Sequence, residues 1–305
     1  MHTTAQIINP EFDAIVIGGS YAGLSAATQL ARARKRVLVI DAGQRRNRFA
    51  QRSHGFLTQD GTEAAVIAAT ARDQLLQYPT VRWAEGTAAE AQAQDDGFIV
   101  TLADGSMHAG RRLVLATGVR DELPPIAGLS ERWGRSVFHC PYCHGYELDA
   151  GAIGVLAVGP LSMHHALMLP DWGTVTFFLN GAFEPDQAQL AQLHARGVVI
   201  ERTAVARIAG EAEIVLEDGR VLPMAGLFVV PQMHGASPIA RQLGCELEDG
   251  PMGAYIRTDA MKASSVPGVF CCGDMARPAG NVALAVADGA MAGVAAHRSL
   301  IPGFA

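Results

Sequence analysis

A short β-branched run, Asp13-Ala-Ile-Val-Ile-Gly18, ends on glycine, and helical spacing rich in alanine and leucine begins at Tyr21 and continues to Arg34. Val37-Leu-Val-Ile-Asp41 follows as a second apolar run, so strand, tight turn, helix and strand fit into the ~30 residues of a βαβ unit. This start directs the chain to the α/β class. Its turn reads Gly18-Gly19-Ser20-Tyr21-Ala22-Gly23. In a dinucleotide-binding turn the first glycine allows the bend, the second lets the backbone approach pyrophosphate, and the third lets the helix pack on the strand. Ser20 fills the second place, where its Cβ crowds the phosphates while its hydroxyl can donate to them. Asp41 closes the second strand near the ~20-residue offset at which an acid accepts from a ribose hydroxyl, which favours an unphosphorylated ribose, as in FAD or NAD. The bland alternative is a glycine turn that binds nothing; the strand before it and the acid after it weigh against that.

The chain has 305 residues, 49% of them hydrophobic, enough for two cores, because a single core rarely grows past ~250 to 300 residues. Its net charge of −6 arises from interspersed acids and bases, so no basic face follows a nucleic-acid backbone. The first residues lack the basic and apolar regions of an export signal, which leads to the expectation of a cytoplasmic protein. No apolar run reaches the ~20 residues of a membrane span; the best, Ala152 to Leu169, is broken by Gly159, Pro160, His164 and His165. A soluble protein is expected, with neither nucleic acid nor membrane as partner.

Farther along, Phe98-Ile-Val-Thr-Leu and Arg112-Leu-Val-Leu-Ala-Thr-Gly118 read as strands with Asp104-Gly105 as a hairpin turn between them, and Leu123-Pro-Pro-Ile marks a domain crossing. A second βαβ-like start occupies Ala152 to Gly159, with helical spacing from Met163 to Leu169 and another strand at Thr174 to Leu179. Its turn, Ala157-Val-Gly159-Pro160-Leu161-Ser162, has alanine and serine in two of the three glycine places, and the following strand, up to Gly181, supplies no arginine cluster for a 2′-phosphate. These departures count against bound NADPH. Near the C-terminus, Val266-Pro-Gly268-Val-Phe-Cys-Cys-Gly273-Asp274 reads as turn, strand and acid before a small-residue helix, Val282 to Ala296, and offers a second hold on the same cofactor.

These features, in order, resemble low-molecular-weight thioredoxin reductase-like FAD flavoproteins. The resemblance rests on the Gly18 turn, Leu115-Ala-Thr-Gly118, Cys140-Pro-Tyr-Cys143 followed by His144-Gly145, and Gly268-Val-Phe-Cys-Cys-Gly273-Asp274, which together cover nearly the whole chain. It implies two Rossmann-like, three-layer domains: an FAD domain built from both chain ends, 1–118 and 233–305, and an inserted pyridine-nucleotide-type domain, 119–232, that carries the two cysteines. It implies that the turn residues Gly18, Ser20, Ala22 and Gly23 bind FAD together with Asp41, and that Asp274 meets the ribityl chain. It also places backbone near Asn281 and Val282 at the isoalloxazine, Thr117 and Gly118 against the FAD, and Ala88 near the adenine. Asn281-Val282 stands where the family usually carries Arg-Gln, and His144 stands where familiar thioredoxin reductases carry aspartate. The latter change, with the missing glycines and arginines, is similar to the branch of FAD-dependent dithiol oxidases, which make disulfides in small-molecule natural products and can pass electrons to oxygen. Arg46-Asn47 and His54-Gly-Phe-Leu57 resemble the same branch and add Asn47 and His54 to the cofactor-binding set. His54 equally reads as a loop histidine bonded to backbone. Related flavoproteins are commonly homodimers, so a homodimer is the expectation.

Cys140 and Cys143 are flanked by His139 and His144. Cys-Pro-Tyr-Cys-His matches the c-type haem attachment pattern, but that attachment follows export. A zinc site needs four ligands, and these four side chains are too contiguous to close a tetrahedron alone, so no metal is expected. A redox pair fits best, with Pro141 stiffening the bridge and a reducing cytosol disfavouring a permanent structural disulfide. Cys245, Cys271 and Cys272 read as small core residues, the vicinal two pointing to opposite strand faces. By the family's logic Cys140 is the interchange sulfur and Cys143 faces the flavin. The implied activity is an FAD-dependent thiol/disulfide oxidoreductase that oxidises a dithiol, either a small molecule or a thioredoxin-like protein, with oxygen as electron acceptor. His144 is the candidate base for a thiol of pKa near 8.5, a packing or capping role being its structural alternative. Two other readings remain: an NADPH-dependent thioredoxin reductase, and a non-catalytic flavin redox sensor.

Overall fold

A computed structural model describes residues 9–304. The chain forms two compact units, the first built from the chain up to Arg48, Ala64–Arg120 and the chain from Met233 onward, the second from Phe49–Glu63 and Asp121–Gln232.

The first unit is organised by a five-stranded parallel sheet in the order Val269–Cys271, Leu113–Leu115, Ala14–Ile17, Val37–Asp41, Val81–Glu85. The runs AIVI and LVL are buried at every position, as a parallel sheet covered on both faces requires. The register sets Ile17 opposite Ile40 and Leu115, and Leu115 opposite Cys271. Four strands therefore end in line, and Gly18, Asp41, Ala116 and the Cys272-Gly273-Asp274 turn emerge at one edge, the carboxyl edge where ligands bind in such sheets. The helix Tyr21–Arg32 packs on Val282–Ser299 with backbones nearly touching: a Cβ on Gly289 would strike the carbonyl of Ala22, and one on Gly293 that of Ala26. The small-residue composition of the last helix is thus a packing requirement, and the helix extends to Ser299, past the expected end at Ala296.

An antiparallel sheet of Ala88–Gln94, Gly97–Leu102 and Met107–Gly110 completes this unit. Here the sequence reading needs correction: the Asp104-Gly105 turn joins Gly97–Leu102 to Met107–Gly110, and Leu113–Leu115 belongs to the parallel sheet. The chain changes sheets at Gly110, whose absent side chain leaves room for Ile15.

The second unit repeats the parallel plan in the order Val137–Phe138, Gly226–Val229, Ala152–Leu156, Thr174–Phe178, Val199–Glu201. Alternate residues feed opposite faces. Ile153, Val155, Phe177 and Phe228 enter one apolar cluster, while Leu156, Phe178, Leu227 and Val229 enter another. Three antiparallel strands, Val205–Ala209, Glu213–Leu216 and Val221–Pro223, complete it. The outgoing and returning segments, Val119–Glu122 and Gln232–Gly235, pair with each other.

Phe49–Glu63, which lies inside the stretch 1–118 given to the first domain from sequence, clusters with the second unit. It is a small hairpin of Arg52–Ser53 and Thr62–Glu63, and its Phe49 sits against Gly134. Among the described residues no helix is long and apolar enough to cross a membrane.

Candidate active site

In the second unit, Cys140 follows the strand Val137–Phe138 in extended conformation (φ −98°, ψ 112°) and precedes the one-turn helix Pro141–His144. Proline at the first helical position loses nothing, because that N–H has no intrahelical acceptor. The turn closes through Cys143 N–H to Cys140 O (3.2 Å) and Gly145 N–H to Pro141 O (2.7 Å). It brings the two Cα atoms to 5.3 Å, and Cys140 and Cys143 are joined as a disulfide. Both are half-buried. Between them Tyr142 projects outward, 71% exposed, with its ring edge-on to Trp172 at 5.3 Å. Gly145 leaves no room for a side chain beneath the Trp172 indole, which fixes the exit of the turn.

The imidazole of His144 stacks on Phe138 with centroids 4.3 Å apart and planes 19° from parallel, and Phe138 packs on Phe228 at 5.7 Å. Burial pushes the His144 pKa down to about 4, helped by the nearby charge of His54. The packing geometry that the sequence offered as the alternative for His144 is therefore present. His54 lies on this side as well: its Nδ1 is 3.3 Å from a Glu147 carboxylate oxygen and 3.6 Å from one of Asp60. Within the structure His54 is a neighbour of His144, and its loop is held by Gly55 N–H donating to Asp60 (2.8 Å). On the other flank, His165 is buried against Phe228 and 5.7 Å from the ring of His139, the residue before Cys140. Its pKa falls to about 3 through burial, then through His139 and His164. Phe138, Glu147, His165 and Trp172 were not singled out as site residues from the sequence. An aromatic next to the cysteine motif was the one local signal, while the other contacts depend on tertiary packing.

The first unit gathers the remaining sequence-predicted residues, save Ala88 and the pair Asn281-Val282, along its carboxyl edge. Gly18 takes φ +106°, and a Cβ there would strike the carbonyl of Ala116. Gly19 lies under the Trp83 indole and donates its N–H to an Asp41 carboxylate oxygen at 3.0 Å. Gly23 packs on the Gly18 carbonyl. Ser20 is the N-cap of Tyr21–Arg32, yet its hydroxyl makes no capping bond, so neither its O–H nor the first helical N–H groups at Ala22 and Gly23 are satisfied by a side-chain cap. Thr117 donates N–H and O–H to the Met275 sulfur at 3.2 Å, and Gly118 adopts φ +67°. Asn47 donates to the Tyr21 hydroxyl at 3.0 Å, while its amide oxygen is buried without a partner. Asp274 follows Gly273 and accepts from Arg46 at 2.8 Å, an ion pair that sequence reasoning missed although the basic run around Arg46 hinted at it.

Ala88 starts the antiparallel sheet two residues beyond Gly86, whose N–H bonds the Asp41 carbonyl. Asn281 uses its side-chain oxygen to accept from Leu284 N–H at 2.8 Å, capping the helix that Val282 begins. That accounts for asparagine at this position. An uncapped helix start behind a glycine turn, a terminal acid and an orphaned buried amide oxygen together fit a dinucleotide of the FAD type.

Such a cradle, with a redox disulfide carried on an inserted Rossmann-like unit, defines an FAD-dependent oxidoreductase of the thioredoxin reductase-like fold. The Pyridine nucleotide-disulphide oxidoreductase family matches residues 12–292, and the chain belongs to that family. It is 35% identical over 305 residues to thioredoxin reductase tcpT of Claviceps purpurea, covering 95% of this chain and 94% of that one. Among solved structures it is similar to an oxidoreductase from Agrobacterium tumefaciens (59% identity, TM-score 0.92, covering 94% and 98% of the two chains). It is also similar to HlmI (35% identity, TM-score 0.88, covering 97% and 95%).

Proposed function

We propose that the protein oxidises a dithiol to a disulfide through Cys140 and Cys143, with dioxygen as the final electron acceptor. The observation that carries this reading is the closed, half-buried Cys140–Cys143 disulfide at the head of the one-turn helix. A substrate thiolate attacks the Cys140 sulfur, the Cys140–Cys143 bond breaks, and Cys143 leaves as thiolate. The second substrate thiol then attacks the substrate sulfur of the mixed disulfide and releases Cys140, so the substrate loses two electrons and the cysteine pair gains them. When bound, FAD supplies the acceptor for that electron pair and a route onward to oxygen. The residues proposed to hold it are the Gly18, Ser20, Ala22 and Gly23 turn, Asp41, Asn47, Thr117, Gly118 and Asp274, with Ala88 on the adenine side and backbone at Asn281 and Val282.

His144 is the proposed proton acceptor. Burial keeps its imidazole neutral at pH 7, with a lone pair to offer. The release of a thiolate from the same helical turn favours imidazolium and offsets the burial that lowers the pKa. His54, with its Nδ1 3.3 Å from a Glu147 carboxylate oxygen, flanks it and is assigned to orient the ring.

Support for oxygen comes from the second unit's nucleotide turn. The hydroxyl of buried Ser162 accepts the Val158 N–H at 3.0 Å, filling the place where a phosphate would take backbone donors. Arg202 pairs with Glu184, and Arg220 with Glu201 and Asp218, all at 2.7 Å, so both guanidiniums are committed. These residues do not fit NADPH. A second reading, NADPH-dependent reduction of a protein disulfide, is favoured by the name thioredoxin reductase carried by the Claviceps relative. Oxygen uptake with dithiothreitol, run beside an anaerobic NADPH titration of the flavin, decides between them. Catalytic oxygen uptake with slow bleaching supports the oxidase, whereas rapid bleaching at micromolar NADPH and no dithiol-driven uptake overturns it.

A further inference from the structure

Exposed apolar side chains gather beside the redox disulfide. Among the described residues the three most exposed large apolar side chains are Leu57 (85%), Tyr146 (84%) and Tyr142 (71%), and all three belong to the second unit. Single exposed apolar residues are ordinary, but a group of them marks a surface that something else covers. Tyr142 lies between the two cysteines, and Tyr146 is three residues past Cys143. Leu57 sits on the hairpin whose His54 Nδ1 is 3.3 Å from a carboxylate oxygen of Glu147, the neighbour of Tyr146. Two rings at this surface make a corner. The Tyr142 ring stands 5.3 Å from that of Trp172, with planes 88° apart. Trp172 is fixed from behind: it packs on the apolar cluster around Ile153 and Phe177, its N–H donates to Leu169 O at 2.9 Å, and a Cβ on Gly145 would strike its indole. From residue 136 to residue 195 the chain has no lysine or arginine, while Glu147 and Asp149 closely follow the turn. This segment supplies no cation to a carboxylate on a substrate.

We propose that Tyr142 and Trp172 determine specificity by receiving a planar ring of an uncharged small-molecule dithiol, with Tyr146 and Leu57 as the apolar rim. This role rests on the proposed reaction of Cys140 and Cys143 with a dithiol and adds the class of dithiol. A flat ring that enters the corner lies offset-stacked on one aromatic side chain and edge-on to the other, the two arrangements aromatic pairs prefer. Rigid aromatic side chains make such contacts at low entropic cost, because few torsions are frozen. The reach is sufficient. Consecutive Cα atoms are ~3.8 Å apart, so the Tyr142 Cα lies within roughly 7.6 Å of that of Cys140. A ring joined to its thiols through one carbon each rests in the corner while the first sulfur meets Cys140. The second thiol is then held by the same molecule beside the mixed disulfide, so its attack is intramolecular. A concave corner of two perpendicular rings suits a single ring, whereas a folded protein presents a broad face to the turn.

The test mixes the FAD-loaded protein anaerobically with ortho-xylylene dithiol, dithiothreitol, dihydrolipoate or reduced thioredoxin, quenches with an alkylating agent, and follows free Cys140 and Cys143 by peptide mass spectrometry. In each reaction the dithiol leaves as its disulfide and the two protein sulfurs end as thiols, so two electrons and two protons pass from one to the other. Each rate is divided by that of the same dithiol with bis(hydroxyethyl) disulfide, which removes differences in intrinsic thiol reactivity. The expected result is the aryl dithiol about tenfold above dithiothreitol, with dihydrolipoate no faster than dithiothreitol. Tyr142→Ala should erase the preference for the aryl dithiol and Tyr142→Phe should keep it, a pattern that a merely structural change does not produce. Equal rates for the aryl dithiol and dithiothreitol in wild type, or a preference that survives Tyr142→Ala, overturn the proposal and leave the dithiol reaction standing. Faster reduction by dihydrolipoate or by thioredoxin than by the aryl dithiol also overturns it. If no dithiol frees the two cysteines, the proposal and the dithiol reaction fall together. Oxygen plays no part in the measurement, so a failure of the oxidase assay is separate from all these outcomes.

Discussion

Acid should destabilise the second unit through two histidines, and the structure sets the size of the effect. Burial lowers His144 from 6.5 to about 4 and His165 from 6.5 to about 3. The folded values lie below the unfolded one, so as pH drops below 6.5 the unfolded chain takes up protons first. Stability is full above that pH and is lost as pH falls toward 4 and then 3. At pH 4.5 the unfolded imidazoles are almost fully charged and the folded ones largely neutral, which costs about 2.5 kcal/mol for each histidine and about 5 kcal/mol for the pair. That is comparable to the entire stability of many domains, about 5–15 kcal/mol. Urea unfolding at pH 7 and pH 4.5, followed by the fluorescence of Trp133 and Trp172, measures it. Carboxylates titrate in the same range, so the decisive quantity is the pH difference in each variant minus that in wild type. His144→Gln and His165→Gln should each remove about 2.5 kcal/mol of the wild-type pH difference, whatever they do to stability at pH 7. A pH difference in both variants equal to that of wild type would refute the argument, since it would mean that neither ring is held neutral by its surroundings.

Cys143→Ser should abolish dithiol-driven oxygen uptake while the purified protein stays yellow, and full activity in this variant would rule out the proposed sulfur chemistry. Arg46→Ala removes the partner that holds Asp274, and FAD retention should weaken by about tenfold, the equivalent of about 1.4 kcal/mol, read by flavin fluorescence on dilution. Gly289→Ala forces a methyl against the Ala22 carbonyl, so the two helices must separate at a cost of about 1–3 kcal/mol in urea unfolding; an unchanged midpoint would show that the close approach is not required.

The βαβ start was legible in the sequence because its determinants are local. Four apolar residues ending on Gly18, a helix beginning three residues later and an acid at Asp41 suffice to specify strand, turn and helix. The closure of Cys140 onto Cys143 was legible for the same reason, since one helical turn with proline at its head brings the two together. The hairpin after Leu102 was misread because both Met107–Gly110 and Leu113–Leu115 are adjacent strand-forming runs, and only the packing of Gly110 on Ile15 decides where the chain leaves one sheet for the other.

By itself, the sequence determined the parallel α/β class, the glycine turn with its acid and the presence of a two-residue-spaced cysteine pair, while the insertion of one unit into another was implied by the resemblance. The tertiary structure decided which side chains surround those features. It set Arg46 on Asp274 across 228 residues of chain and moved Phe49–Glu63 and its His54 into the unit that carries His144. The physical reason is range. Backbone geometry and hydrophobic period act over a turn or a strand and are written in neighbouring residues, whereas an ion pair or a stacked imidazole depends on how separate elements pack.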